Sequence, residues 1–180
     1  MGRLINSTYI TLDGVVGEPH EWPSTGGDDG TALKLQTDLL LASDAVLMGR
    51  RTYEVFAASW PERSGDPYSD RINTMPKLVA SATLTEPPAW HHTTVLADQV
   101  AERVADLKAG GTNLVQYGFG ELSHTLLAHG LIDELRLWVH PLLVGKGDQL
   151  FRGGSASAFR LADTVVLTSG TVVLTYQARG

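Results

Sequence analysis

The sequence predicts an α/β fold with a partly parallel sheet. Short β-rich runs alternate with helix-spaced ones along the chain, two of the apolar runs end directly in a glycine turn, and the last segment reads as a hairpin. A length of 180 residues fits a single domain with a real core, one that hides roughly 70% of the surface the unfolded chain exposes. No repeat, linker or low-complexity tract interrupts it, so one domain over residues 1–180 is expected.

The first strand covers residues 3–12 and closes on Asp13-Gly14. A long loop, residues 15–30, follows; it is rich in Gly, Pro and acids and carries Trp22. Ala32, Leu35, Leu39 and Ala42 then recur in steps of three and four, which puts them on one helix face. The apolar run at residues 45–48 ends at Gly49 and reads as a buried parallel strand. Residues 52–58 read as a helix ended by Trp60-Pro61, and residues 62–76 as a polar, irregular loop. Residues 77–80 and 93–96 are expected strands, separated by the Pro87-Pro88 connection. Asp98 offers an N-cap for a helix that buries Val100, Val104 and Leu107 and stops at Gly110-Gly111. Residues 114–117 form a strand, 121–129 a helix stopped by Gly130, and 135–140 another strand. Residues 165–168 and 172–176 alternate around Ser169-Gly170, a two-residue turn signal for the closing hairpin.

Composition removes several function classes. The chain is 43% apolar and 19% charged, as ordinary globular domains are. Fourteen Lys and Arg against twenty Asp and Glu leave a formal charge of −6, which disfavours nucleic acid and anionic membranes as partners. There is no cysteine, so disulfides, thiolate nucleophiles and cysteine-held metals are out. No apolar run is long enough for a signal peptide or a membrane span, and a cytoplasmic location is expected. Asn6-Ser7-Thr8 is formally a glycosylation acceptor, but it falls inside an expected strand and is read as coincidence.

Two strand-to-helix junctions carry the chemistry. At the first, Gly49 turns the backbone out of its strand and Arg50, Arg51 and Thr52 open the helix. Free N–H groups and the positive end of the helix dipole attract anions there, and the arginines add forked phosphate donors. At the second, Gly118-Phe119-Gly120 follows a strand and Glu121-Leu122 open a helix, the context a phosphate cradle requires. Two anion sites at the C-terminal ends of parallel strands suit a dinucleotide. The Rossmann fingerprint is incomplete: Ser123 stands in place of the third glycine, and no acid lies about twenty residues on to grip a ribose. Arginine beside the first turn therefore favours a 2′-phosphate, hence NADPH over NADH.

The segment Met48-Gly49-Arg50-Arg51-Thr52-Tyr53-Glu54 resembles the cofactor-binding segment of dihydrofolate reductases. The later run from Tyr117 through Gly118, Gly120, Glu121, Leu122, Gly130, Leu131, Asp133, Glu134, Leu135, Pro141 and Gly145 to Phe151 resembles the reductase domain of the bifunctional riboflavin-biosynthesis deaminase–reductase. Residues 7–14 and the stretch Lys77 to Ser81 with Thr83 fit the same pattern. The resemblance implies a dihydrofolate reductase-like mixed sheet of about eight strands flanked by helices, with a C-terminal antiparallel hairpin. It also implies NADPH as cofactor, an oxidoreductase acting on a small heterocycle of the pterin or ribosylaminopyrimidine type, and a homodimer.

By that resemblance Arg50 faces the 2′-phosphate, and Arg51 and Thr52 add contacts at the helix start. Ser81 borders the adenosine, and Gly118, Phe119, Gly120, Glu121 and Leu122 cradle the pyrophosphate through backbone N–H groups. The loop after Asp13 closes over the nicotinamide. The folate carboxylate has no counterpart, since Leu33 occupies its register and Asp29 and Asp38 do not. The Asp-Asp-Pro segment and following Arg of the riboflavin enzymes are missing from residues 56–61, with Arg63 or Arg71 as substitutes. A rival reading is a nucleotide-binding or dimerisation domain that has lost its substrate site. Asp13, at a strand end above the sheet, is the candidate to orient or protonate a substrate, or else simply forms the Asp-Gly turn. Trp22 and Trp60, in loops, are candidates to stack on its ring, or else pack in the core. No metal site is expected: His91-His92 are adjacent, and His124 and His129 are five apart. His140 reads as a strand-end residue rather than a base.

Overall fold

The computed structural model describes residues 1–84, 90–150 and 156–179. The Pro87-Pro88 connection and Phe151 lie outside the described residues. The strands form an eight-stranded mixed sheet in the order β4-β3-β2-β5-β1-β6-β8-β7, with five α-helices among the described residues. The chain divides into two compact units, Met1–Leu4 with Leu33–Tyr117 and Ile5–Ala32 with Gly118–Gly180. No helix among the described residues is long and apolar enough to cross a membrane.

In the first unit β2 (Ala45–Gly49) pairs in parallel with β3 (Lys77–Ala80) and β5 (Leu114–Tyr117), and β3 in parallel with β4 (Thr93–Leu96). Ala45 to Met48 are all buried, as a parallel strand covered on both faces must be. Helix α1 (Thr31–Leu41) buries Leu39 and Leu40, while Ala42 is exposed, so its inner face is turned by about one residue from the expected one. Helix α2 (Arg50–Ala57) starts directly at Gly49 and buries Tyr53.

The expected irregular loop at residues 62–76 is instead largely helix, α3 (Pro67–Thr74). Asp66 caps it, its carboxylate accepting from the Tyr68 and Ser69 N–H groups at 3.0 Å, and Pro67 supplies a pre-set φ at the first position. Helix α4 (Val100–Ala109) is not capped by Asp98: Gln99, in the left-handed region, occupies the cap, and Asp98 reaches Arg103 at 3.6 Å. Its buried residues are Ala101, Val104 and Lys108, and Gly111 ends it at φ +93°.

In the second unit β1 (Leu4–Thr11) pairs in parallel with β6 (Glu134–His140), which pairs antiparallel with β8 (Val172–Ala178), and β8 with β7 (Phe159–Val166). Helix α5 (Glu121–Ala128) ends at Gly130, φ +63°. The hairpin is closed by more than two residues: Leu167 N–H donates to Thr171, Gly170 N–H donates back to Leu167, and Gly170 takes the left-handed conformation of a bulged three-residue loop. Strand β1 is polar yet buried at Asn6, Ser7 and Thr8, which removes the Asn6 glycosylation acceptor from solvent. Ser7 accepts from Trp138 Nε1 at 3.0 Å, so the hydroxyl is satisfied inside the core.

Candidate functional site

The first turn lies wholly in the first unit. Gly49 caps α2 at φ −75° and ψ 163°, ordinary extended backbone, and no side chain closes the helix start. A Cβ added there meets nothing within 4 Å. Among the described residues neither conformation nor packing asks for glycine, and the room it leaves lies at the start of α2. Arg50 is exposed and held on two sides: its Nε donates to Glu54 Oε1 and its Nη1 to Thr83 Oγ1, both at 2.7 Å. Thr83 is placed by a turn in which Ser81 Oγ accepts from the N–H groups of Thr83 at 3.3 Å and Leu84 at 3.0 Å. Arg51 is exposed and Thr52 half-buried beside it.

The second turn lies wholly in the second unit. Gly118 has φ +78°, where glycine is the natural residue. Its carbonyl accepts from Asn6 Nδ2 at 2.9 Å and from Ser123 Oγ at 3.3 Å, and the same hydroxyl accepts from Gly120 N–H at 3.3 Å. Ser123, fully buried, thus ties the turn from beneath where the fingerprint has a third glycine. Gly120 is extended, at φ −159°, and a Cβ on it also meets nothing within 4 Å. Phe119 packs edge-on to His124 at 5.1 Å, Glu121 is exposed at the helix start and Leu122 half-buried. Asn6, Ser123, Glu54 and Thr83 support the two turns, and Asn6 among them lies outside the stretches that the motifs single out. A polar run, Asn6-Ser7-Thr8, inside an expected strand is the available signal for Asn6.

Asp13 is a loop clamp in the second unit. Its carboxylate accepts from Gly145 N–H at 2.7 Å, Val144 N–H at 3.4 Å and the Thr11 hydroxyl at 2.5 Å. The Thr11 bond, followed by the Gly145 N–H, holds its pKa below the ordinary carboxylate value. A carboxylate held ionised in this way suits orienting a loop and does not suit giving up a proton. The lowered folded-state pKa means Asp13 contributes stability above the unfolded value of 3.8 and loses it as pH falls through the folded one. The difference in melting temperature between wild type and Asp13→Asn is therefore expected to be constant near neutrality and to shrink below about pH 4.

Trp22 donates from Nε1 to the Gly17 carbonyl at 3.0 Å and sets its ring edge-on to His140 at 5.7 Å. His140, at the end of β6, also packs on Tyr9 at 4.8 Å, and burial lowers its pKa, which keeps the ring neutral. Trp60 belongs to the first unit. It lines a cavity of about 430 Å³ with Leu33, Arg63 and Tyr68, and the Arg63 guanidinium stacks 4.7 Å above its ring. Asn73 of α3 ties this loop down by donating from Nδ2 to the carbonyls of Trp60 and Arg63. Leu33 shares the cavity wall with Glu62 and Asp66, while Asp29 caps α1 through Thr31 and Asp38 pairs with Lys34. Arg71 is turned away to the Ser43 carbonyl.

Glycine turns that open short helices after parallel strands define an α/β domain of the type that meets anionic ligands at strand ends. The family model of the RibD C-terminal domain matches residues 3–174, and the chain belongs to that family, which is that of the RibD reductase domain. The chain is 29% identical over 189 residues to YyaP of Bacillus subtilis strain 168, itself uncharacterized, covering 99% of this chain and 96% of YyaP. A candidate riboflavin biosynthesis protein of Shewanella sp. PV-4 has a similar structure, with a TM-score of 0.73, 24% identity and full coverage of both chains. A pyrimidine reductase-like protein of Corynebacterium diphtheriae matches with a TM-score of 0.71 at 12% identity, covering 99% of this chain and 92% of its own.

Proposed function

We propose that this chain is an NADPH-dependent reductase acting on a small planar heterocycle of the pterin or ribosylaminopyrimidine type. One observation carries the reading: Gly49 and Gly120 each open a helix, and nothing among the described residues requires glycine at either position. Glycine there leaves a ligand's phosphate free to approach the backbone donors. Arg50 supplies a forked cation for a 2′-phosphate, with Thr83 and Glu54 fixing its plane. Ser81 supports that arginine through Thr83. The backbone at Phe119, Glu121 and Leu122 would face a pyrophosphate at this helix start, with Gly118 and Gly120 shaping the turn. NADPH, when bound, supplies a hydride from its nicotinamide ring. The chain's part is to orient the reactants and exclude water. Asp13 holds the loop at residues 142–145 in place, and Trp22 and Trp60 offer aromatic surface to a flat substrate.

The test is calorimetry with NADPH and NADH together with thermal melts. Saturable NADPH binding with an upward melting shift is expected. Gly49→Ala and Gly120→Ala should each weaken it by about tenfold or more while moving folding stability by less than about 1 kcal/mol. Absence of both heat and melting shift at saturating NADPH refutes the reading. The loss of the folate carboxylate at Leu33 favours the rival, a coenzyme-binding domain without catalysis. Tight NADPH binding with no turnover across a panel of oxidised pterins and ribosylaminopyrimidines would select it.

A further inference from the structure

We propose that the cavity beside Trp60 holds a flat heterocycle by a guanidine-type edge, a ring N–H next to an exocyclic amine, with Glu62 accepting from both. The inference rests on the reductase reading and narrows its substrate to rings that carry an amine, not an oxygen, on the carbon between two ring nitrogens. Trp60, Tyr68 and Leu33 give the cavity apolar surface, and its volume of about 430 Å³ lies in the range of small-molecule sites. Glu62, Arg63 and Asp66 bring the charge.

Arg63 shows what the cavity prefers. Its backbone is pinned, the N–H donating to the Trp60 carbonyl at 2.9 Å and the carbonyl accepting from Asn73 Nδ2 at 2.8 Å. Its guanidinium has no hydrogen-bond acceptor among the described residues and lies 4.7 Å above the Trp60 ring, a planar, donor-rich cation stacked on an indole. Asp66 is already spent on the start of α3, accepting from the N–H groups of Tyr68 and Ser69 and from the Ser69 hydroxyl. Glu62 lines the same cavity and has no hydrogen-bond or ion-pair partner among the described residues. At 4.7 Å the guanidinium leaves no room for a ring beneath it, since two stacked layers need about 7 Å. A flat ligand therefore takes its place and keeps what favoured it, a planar face over Trp60 and N–H donors beside a carboxylate. Glu62 meets two parallel donors of such an edge as a carboxylate meets arginine. With oxygen in place of the amine it faces an acceptor and loses one bond.

Equilibrium dialysis of the whole protein against pterin and lumazine decides the matter, because the two rings differ only in the amine or oxygen on that carbon. Pterin is expected to bind saturably, and lumazine about tenfold or more weaker. Glu62→Gln should erase the preference, weakening pterin by about tenfold and leaving lumazine within about threefold. Arg63→Ala, which vacates the indole, should tighten pterin by roughly threefold; a loss there would mean that Arg63 grips the ligand, and overturns its displacement. Both side chains are exposed, and melting curves check that the variants fold. Pterin that does not bind at about millimolar concentration, equal affinities for the two rings, or an intact preference in Glu62→Gln overturns the proposal. No coenzyme is present in the dialysis, so failure here leaves NADPH binding, and the reductase reading with it, to its own calorimetric test.

Discussion

Replacing Lys77 with Met is expected to remove about 3–5 kcal/mol of folding stability, measured by urea unfolding at pH 7. The side chain is fully buried, and its ammonium donates to the carbonyls of Asn73, Met75 and His91 at 3.1, 2.9 and 3.0 Å. Asn73 lies in the last turn of α3, so the lysine satisfies a carbonyl that the helix itself leaves open. Its charge also sits 4.5 Å above the Trp90 ring, whose Nε1 donates to Asn73 Oδ1. Methionine keeps the volume and removes the shared donor from all three carbonyls, leaving the buried one of Met75 away from water. Against total stabilities of about 5–15 kcal/mol for single domains, that loss is large.

Lys77 also sets a pH signature. Burial pushes its ammonium down from 10.5 to about 8. Below pH 8 the folded and unfolded chains both hold the proton, and the group contributes no slope. Between about pH 8 and 10.5 the unfolded chain binds more protons than the folded one, so stability rises with pH across that window. The stability of wild type relative to Lys77→Met should therefore climb above pH 8, and a flat difference would contradict a buried ammonium that titrates there.

What the sequence makes legible follows from where the physics is local. Strands β2, β3, β4 and β5 are readable because each is a short apolar or β-branched run bounded by turn residues, and both glycine junctions stand in the expected strand-to-helix context. Helix α3 escapes such a reading because its inner face rests on Tyr68, Ser69 and Ile72. That is too few apolar residues to show a helical period, although Asp66-Pro67 is a start signal in its own right. Asp98 is a reasonable cap by residue type, but the left-handed Gln99 takes the position, a backbone choice no side-chain preference announces. The supports of the two turns are the least visible. Asn6 meets Gly118 across 112 residues and Arg50 meets Thr83 across 33, and sequence spacing carries no record of such contacts.

Arg50→Ala is expected to weaken NADPH binding by about 1.5–3 kcal/mol, roughly ten- to a hundredfold, and to leave NADH binding almost unchanged. The two coenzymes differ only in the 2′-phosphate, so the comparison isolates the contact assigned to this guanidinium. Arg50→Lys should fall between, because an ammonium keeps the charge and loses the fork. Glu54 gives an independent check, since its carboxylate now shares the guanidinium at 2.7 Å. Glu54→Gln removes a like charge from beside an incoming phosphate while the amide still accepts from Nε, so NADPH affinity should rise and NADH affinity should not. Titrations at two ionic strengths should show a steeper salt dependence for NADPH than for NADH in wild type, and equal dependences in Arg50→Ala. Matching losses for both coenzymes on removal of Arg50 would mean that the residue orders the helix start instead of reading the phosphate. The bonds to Glu54 and Thr83 would then be its whole role.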